Sequence, residues 1–269
     1  MTPKPQKAEN FPVAFFLMPA PIRKVVADYY AVARMADDIA DSPDLSESEK
    51  LAKLDELEQG HHPAVQTLRE GFSRHNLSLA LLTDLFVAFR KDARNDKYET
   101  WGELINYCRY SAMPVGRFML AVFNENPAAQ LSSNSLCTVL QLLNHIQDIK
   151  SDAVTLNRIY LPKDLMKKYG VVEDDLAANA SSQGLKSLIS ELLDNIRNLL
   201  KDAENMPGMI SSRSLKLDVF IILSLINTLV KKIERGDVLT YRISLSKLDW
   251  FKSVIAGGWK TIAQKRLLK

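Results

Sequence analysis

The sequence predicts an all-α fold, a single-domain helical bundle, and three observations carry that prediction. Apolar residues recur at helical spacing along nearly the whole chain, and no segment of convincing length alternates with the period of a strand. Gly (10) and Pro (11) are also too few, in 269 residues, for the turns of an all-β chain.

Periodicity places helices at about 21–41, 46–58, 63–75, 78–93, 99–124, 134–153, 173–205, 212–235 and 246–265. Ser46 and Glu49 form a capping box at the start of the second. Breaks fall at Ser42-Pro43, Gly60, Asn124–Pro127, Pro162, Gly170 and Pro207-Gly208. His61-His62, between Gly60 and Pro63, reads as a solvated loop, and Arg158–Pro162 as a short extended piece. With no linker, repeat or low-complexity tract, residues 1–269 read as one domain.

Composition excludes several classes of function. A net charge of +3 gives no reason to expect nucleic acid as a partner. Cys108 and Cys137 lack the spacing of a zinc site or disulfide framework, which suits a cytoplasmic protein. Residues 11–21 are apolar and follow Lys4 and Lys7, but Glu9 and three prolines argue against an export signal. No run is long and apolar enough for a spanning helix. The stretch from Ser246 to Lys269, with Trp250, Phe251, Trp259 and several basic residues, has two readings. It is an interfacial helix in peripheral contact with a membrane, or, as Gly257-Gly258 favour, a packed C-terminal helix.

Two acidic stripes stand out. On helix 21–41, the apolar residues Val25, Val26, Tyr29, Val32, Ala33, Ala36, Ile39 and Ala40 fall between about 260° and 40°, measured from Ile22. Tyr30, Arg34, Asp37 and Asp41 follow at about 60° to 120°, with Asp38 near 160°. On helix 134–153, Asn144, Asp148 and Asp152 drift only about 80° along one face, with Gln141 in the same sector. Leu136, Val139, Leu140, Leu142, Leu143, Ile146 and Ile149 oppose them. One such stripe is ordinarily a solvated face, but like charges at i, i+4 oppose the helix, and this sequence accepts that twice. Two facing carboxylate helices suit Mg²⁺ bridged by a substrate diphosphate, with Arg34 and Arg158 to grip the leaving group. The apolar interior would hold a hydrocarbon chain.

These residues resemble the squalene/phytoene synthase family of isoprenoid synthases. Tyr30-x-x-x-Arg34-x-x-Asp37-Asp38-x-x-Asp41 matches its first motif. Gln141-x-x-Asn144-x-x-x-Asp148-x-x-x-Asp152, followed by Arg158-x-Tyr160-x-Pro162, matches its second. Glu9–Ala14, Tyr107–Arg117 and Phe89-Arg-Lys-Asp92 resemble the hopanoid-associated hydroxysqualene synthase branch. Three departures appear: Met113 where the family has Asn, Ala153 where it has an aromatic, and one extra residue between Asp152 and Arg158.

The resemblance implies a bundle of the isoprenoid synthase type with a central apolar cavity, and Mg²⁺ on Asp37, Asp41, Asp148 and Asp152, with Asp38 as a further candidate. It implies diphosphate on Arg34, Arg158 and Asn144, and Tyr30, Tyr107, Tyr160 and Gln141 about the reaction centre. The implied reaction converts presqualene diphosphate to hydroxysqualene without NADPH, coupled to the enzyme that makes presqualene diphosphate. Two alternatives stand beside it: head-to-head condensation of farnesyl or geranylgeranyl diphosphates, and a non-catalytic assembly factor. Tyr107, Tyr110 and Phe118 also read as core aromatics, and Pro114 and Gly116 as a kink or a close-packing point.

Overall fold

A computed structural model describes residues 18–267, so Glu9–Ala14 and the candidate export signal before residue 18 lie outside the described part. All regular elements among the described residues are helical. In order they are α1 (Ala20–Asp41), α2 (Glu47–Gln59), α3 (Pro63–Arg74), α4 (Ala80–Ala93), α5 (Trp101–Ser111) and α6 (Met113–Val122). Then come α7 (Gln130–Ser151), α8 (Lys163–Lys168), α9 (Gln183–Ala203), α10 (Met206–Met209), α11 (Arg213–Arg235) and α12 (Lys247–Leu267).

The apolar arc of α1 packs against α2, α3 and α4, burying Val25, Val26, Tyr29, Val32, Ala36 and Ala40. Removing such side chains from water drives the packing and turns the acidic stripe outward to the flank. The arc of α7 likewise buries Leu136, Val139, Leu142, Leu143, Ile146 and Ile149, between α5, α6 and α9. One continuous apolar cluster runs from Met18 to Ile243. No helix among the described residues is long and apolar enough to cross a membrane.

Local chemistry explains the boundaries. Ser46 Oγ accepts from the Glu49 N–H while the Glu49 carboxylate accepts from the Ser46 N–H, the reciprocal cap expected for α2. The His61-His62 loop is exposed as expected, and His62 does more than fill it: its Nδ1 accepts from the Ala64 N–H and caps α3. The helix expected over 99–124 is two helices, broken at Ala112, with Pro114 in the first turn of α6 where its missing N–H costs nothing. The expected 173–205 helix starts at Gln183, after a 3₁₀ turn at Glu173–Ala177. The helix expected over 134–153 begins earlier, at Gln130, and its end passes into a π-helical turn, Asp152–Leu156, closed by Asn157 at φ 53°. Such a turn takes up an added residue in a helical path. It lies in the stretch where the resemblance implies an extra residue, between Asp152 and Arg158.

Both readings of Pro114 and Gly116 hold. Pro114 begins a helix at a kink, and Gly116 sits where a Cβ would meet Ser133 Oγ at 2.5 Å and Cys137 Sγ at 2.6 Å on α7. A Gly116→Val substitution should therefore push α6 off α7. The expected cost is about 1–3 kcal/mol of overpacking, measured as a lowered denaturation midpoint with unchanged m-value.

Candidate active site

The site assembles around one buried cation. Arg158 follows the π-helical turn, and its backbone N–H donates to the Asp152 carbonyl at 3.0 Å. Its guanidinium, only 6% exposed, donates through Nη1 to Asp41 Oδ1 (2.5 Å), through Nη2 to the Ala40 carbonyl (2.7 Å) and through Nε to the Asp92 carbonyl (3.0 Å). The ends of α1 and α4 thus meet on one side chain, where a cation also complements the partial negative charge of helix C-termini. Burial works against its charge, but Tyr160, Asp92 and Asp41 more than offset this and hold Arg158 protonated.

Above Arg158 lies a buried carboxylate that sequence reasoning noted only within a matching segment. Asp92 accepts from the hydroxyls of Tyr107 (2.8 and 2.9 Å to its two oxygens) and Tyr160 (2.7 Å). Burial raises its carboxyl to about 6, opposed by Arg158 and by the two tyrosine hydrogen bonds. The same burial, with Asp92 nearby, pushes both phenols well above their usual range, so they stay neutral. His145 stacks on Tyr160 with ring centroids 3.8 Å apart, and burial pushes its imidazole down to about 3. Its buried Nε2 has no protein partner. Where the resemblance implies a central apolar cavity, two small cavities adjoin here, each with room for about one water. Both are bordered by His145, Tyr160 and Leu161, and one reaches Asp152 and Arg158.

The predicted residues separate by position. Asp41, Asp152, Arg158, Tyr107 and Tyr160 are gathered at this centre. Arg34 forks to Asp37 (3.0 Å) and Asp38 (2.8 Å) on the outer flank of α1. Asp37 is half-buried, and its burial together with the neighbouring Asp41 carboxylate raises it to about 7. Gln141 and Asn144 are half-buried on α7. Tyr30, 41% exposed, stays on the surface of α1 rather than joining the phenols. Asp148 holds a residue that the sequence did not single out: Arg242 donates Nε to Oδ1 (2.6 Å) and Nη2 to Oδ2 (3.1 Å). Arg242 is placed there because the 236–246 segment is pinned beneath α7, where Gln147 donates to the Ile243 carbonyl and Lys150 to that of Leu239. The candidate core aromatics divide as well. Phe118 is core, stacked on Tyr29 at 4.1 Å, Tyr110 is half-buried, and Tyr107 belongs to the site.

No three His, Cys, Asp or Glu side chains among the described residues form a ligand cluster by themselves. The donors are hard carboxylate oxygens, offered in pairs by α1 and by the end of α7. That is the donor type Mg²⁺ takes when phosphate oxygens and water complete its shell. The mutual crowding of Asp37 and Asp41 is also of the kind that a bound cation relieves.

This all-α bundle, with acidic flanks around an aromatic, water-poor centre, has the form of an isoprenoid synthase. The family model of squalene/phytoene synthase matches residues 4–249, and the chain belongs to that family. Among its relatives, the hydroxysqualene synthase of Sinorhizobium fredii is 36% identical over 249 residues, covering 90% of this chain and 85% of the relative. That of Zymomonas mobilis is 35% identical over 254 residues, covering 91% and 86%. The solved structure of squalene synthase HpnC from Alicyclobacillus acidocaldarius superposes with a TM-score of 0.75 at 28% identity, covering 85% of this chain and 89% of that one.

The raised Asp92 carboxyl gives a signed prediction. A carboxyl whose folded value lies above its unfolded one contributes stability at low pH that is lost as pH rises through the folded value. Asp92→Asn removes that loss. Its stability relative to wild type should rise between pH 4 and 7 by roughly 2 kcal/mol. Denaturant titrations of both proteins across that range check this, and parallel curves would contradict it.

Proposed function

We propose that this chain converts presqualene diphosphate to hydroxysqualene and diphosphate in a Mg²⁺-dependent reaction, using material supplied by an enzyme that makes presqualene diphosphate. The observation that carries the reading is the joining, through Arg158, of two acid-bearing helices to a wall of neutral aromatic rings. The similarity to proteins named hydroxysqualene synthase over nine-tenths of the chain supports the choice of product.

Charge balance supports the metal. Asp37, Asp38, Asp41, Asp92, Asp148 and Asp152 outnumber Arg34, Arg158, Arg242 and the rim residue Lys50, so an entering diphosphate needs accompanying cations. Asp37, Asp41, Asp148 and Asp152 are the residues to hold Mg²⁺, which when bound neutralises charge developing on the leaving oxygen. Arg34, at the exposed rim, offers its fork to the diphosphate, while Asn144 and Gln141 support the α7 side. Arg158 acts from beneath by fixing Asp41 and the Asp92 backbone.

The chemistry at carbon needs no protein nucleophile. Once the carbon–oxygen bond to diphosphate breaks, the cyclopropylcarbinyl cation rearranges beside Tyr107 and Tyr160, whose ring faces attract positive charge. Because both phenols are held neutral, they do not trap the cation as phenolates would. Water then forms the new C–O bond, and its proton passes to the freed diphosphate.

Purified protein with Mg²⁺, presqualene diphosphate and no NADPH should yield hydroxysqualene by gas chromatography and mass spectrometry. A C30 product from farnesyl diphosphate alone would instead assign condensation. Asp41→Asn and Asp148→Asn should each lower turnover by at least about a hundredfold while leaving the helical circular dichroism unchanged. Chelation should stop turnover, and added Mg²⁺ should restore it.

A further inference from the structure

The last helix is amphipathic the wrong way round. α12 meets α11 through small and polar residues: Ser224 Oγ donates to Ser253 Oγ at 3.0 Å, and a Cβ on Gly257 would meet Ile221 Cγ1 at 2.8 Å. At 100° per residue, Leu248, Phe251, Ile255, Trp259 and Ile262 lie within about 80° of one another on the opposite side. All five are exposed, Trp259 by 72% and Phe251 by 64%. Scattered exposed apolar residues need no explanation, but five in one stripe on one helix form a continuous patch.

Charge identifies what covers it. Residues 246–269 carry six Lys or Arg and one acid, Asp249. That acid is consumed locally by Lys232 (2.5 Å) and by the Ser246 N–H and hydroxyl (2.7 Å each). Lys247 and Lys252 are exposed beside the apolar stripe, and Lys260 is held near the Phe220 ring. A second copy of this chain would bring like charges together around its own patch. An anionic lipid surface would accept the lysines at its headgroups and the apolar stripe below them, with Trp259 at the boundary where indoles concentrate.

We propose that the outer face of α12 docks the protein, in the plane of the interface, onto a bilayer containing anionic lipid. The full chain should co-sediment with vesicles of phosphatidylglycerol and phosphatidylcholine and far less with phosphatidylcholine alone. Added salt should weaken binding, and Lys247→Gln and Lys252→Gln should each reduce partitioning by roughly fivefold. The surface double variant Phe251→Glu with Trp259→Glu should lose at least about tenfold in partitioning while keeping its circular dichroism spectrum and its turnover of detergent-dispersed substrate. Trp259 emission should shift to the blue on binding and be quenched by brominated lipid.

Three results would overturn the proposal. The first is wild-type protein that stays in the supernatant with every vesicle, and the second is a double variant that binds equally well. The third is a wild-type dimer by light scattering that the double variant converts to monomer without vesicles present, which would assign the face to a second copy.

Discussion

Burying a guanidinium costs several kcal/mol unless its donors are met, and this fold meets those of Arg158 with one carboxylate and two main-chain carbonyls from different helices. That requirement is a geometric constraint. The carbonyls of Ala40 and Asp92 must point to one place, which sets how α1 and α4 end relative to one another. The π-helical turn at Asp152–Leu156 must then deliver residue 158 to the same place. Lysine, with a point charge and no planar fork, could not satisfy three acceptors arranged this way.

The constraint propagates upward into the chemistry. Since Arg158 takes the Asp92 carbonyl and Asp41, the Asp92 carboxylate is left to the two tyrosine hydroxyls. Their orientation turns the rings of Tyr107 and Tyr160 into a wall, and His145 stacks on that wall as a neutral imidazole. The centre therefore holds polar groups whose hydrogen bonds point away from the ring faces. Two of the predicted acids, Asp37 and Asp148, sit on the flanks, where Arg34 and Arg242 meet them. Buried charges met by their own partners behind a π surface are the arrangement that these few contacts impose.

What was legible in the sequence was what helical geometry alone determines. The stripes of α1 and α7 and their apolar arcs depend on residues three or four apart, and the buried sets match the predicted arcs apart from half-buried Ala33, Ile39 and Leu140. Illegible were relations across the chain. Asp92 is an unremarkable acid near the end of a helix until Tyr107 and Tyr160 reach it, and Arg242 lies in a loop 94 residues from Asp148. Arg158 reads as a diphosphate ligand by motif, but its ion pair with Asp41, 117 residues away, is a relation that no local spacing shows. The α5–α6 break was legible at Pro114, yet helical periodicity on both sides masked it. The six-residue α8 was too short for periodicity to register.

The packing of α12 follows from the same reasoning about surface and interior. In the core cluster large apolar residues face inward because water is the alternative. At the α11–α12 contact, Gly257 and Ser253 let the two backbones approach closely, so attraction there rests on dispersion, one hydroxyl pair and the Lys232–Asp249 ion pair, and the largest side chains of α12 are left out of it. Phe251 and Trp259 then remain outside, an arrangement that water penalises and that burial in an apolar phase relieves. A substrate made largely of hydrocarbon partitions into that same phase. The forces that leave the α12 stripe exposed in solution are therefore those that concentrate the proposed substrate at a bilayer, and one physical term would bring enzyme and substrate to one surface.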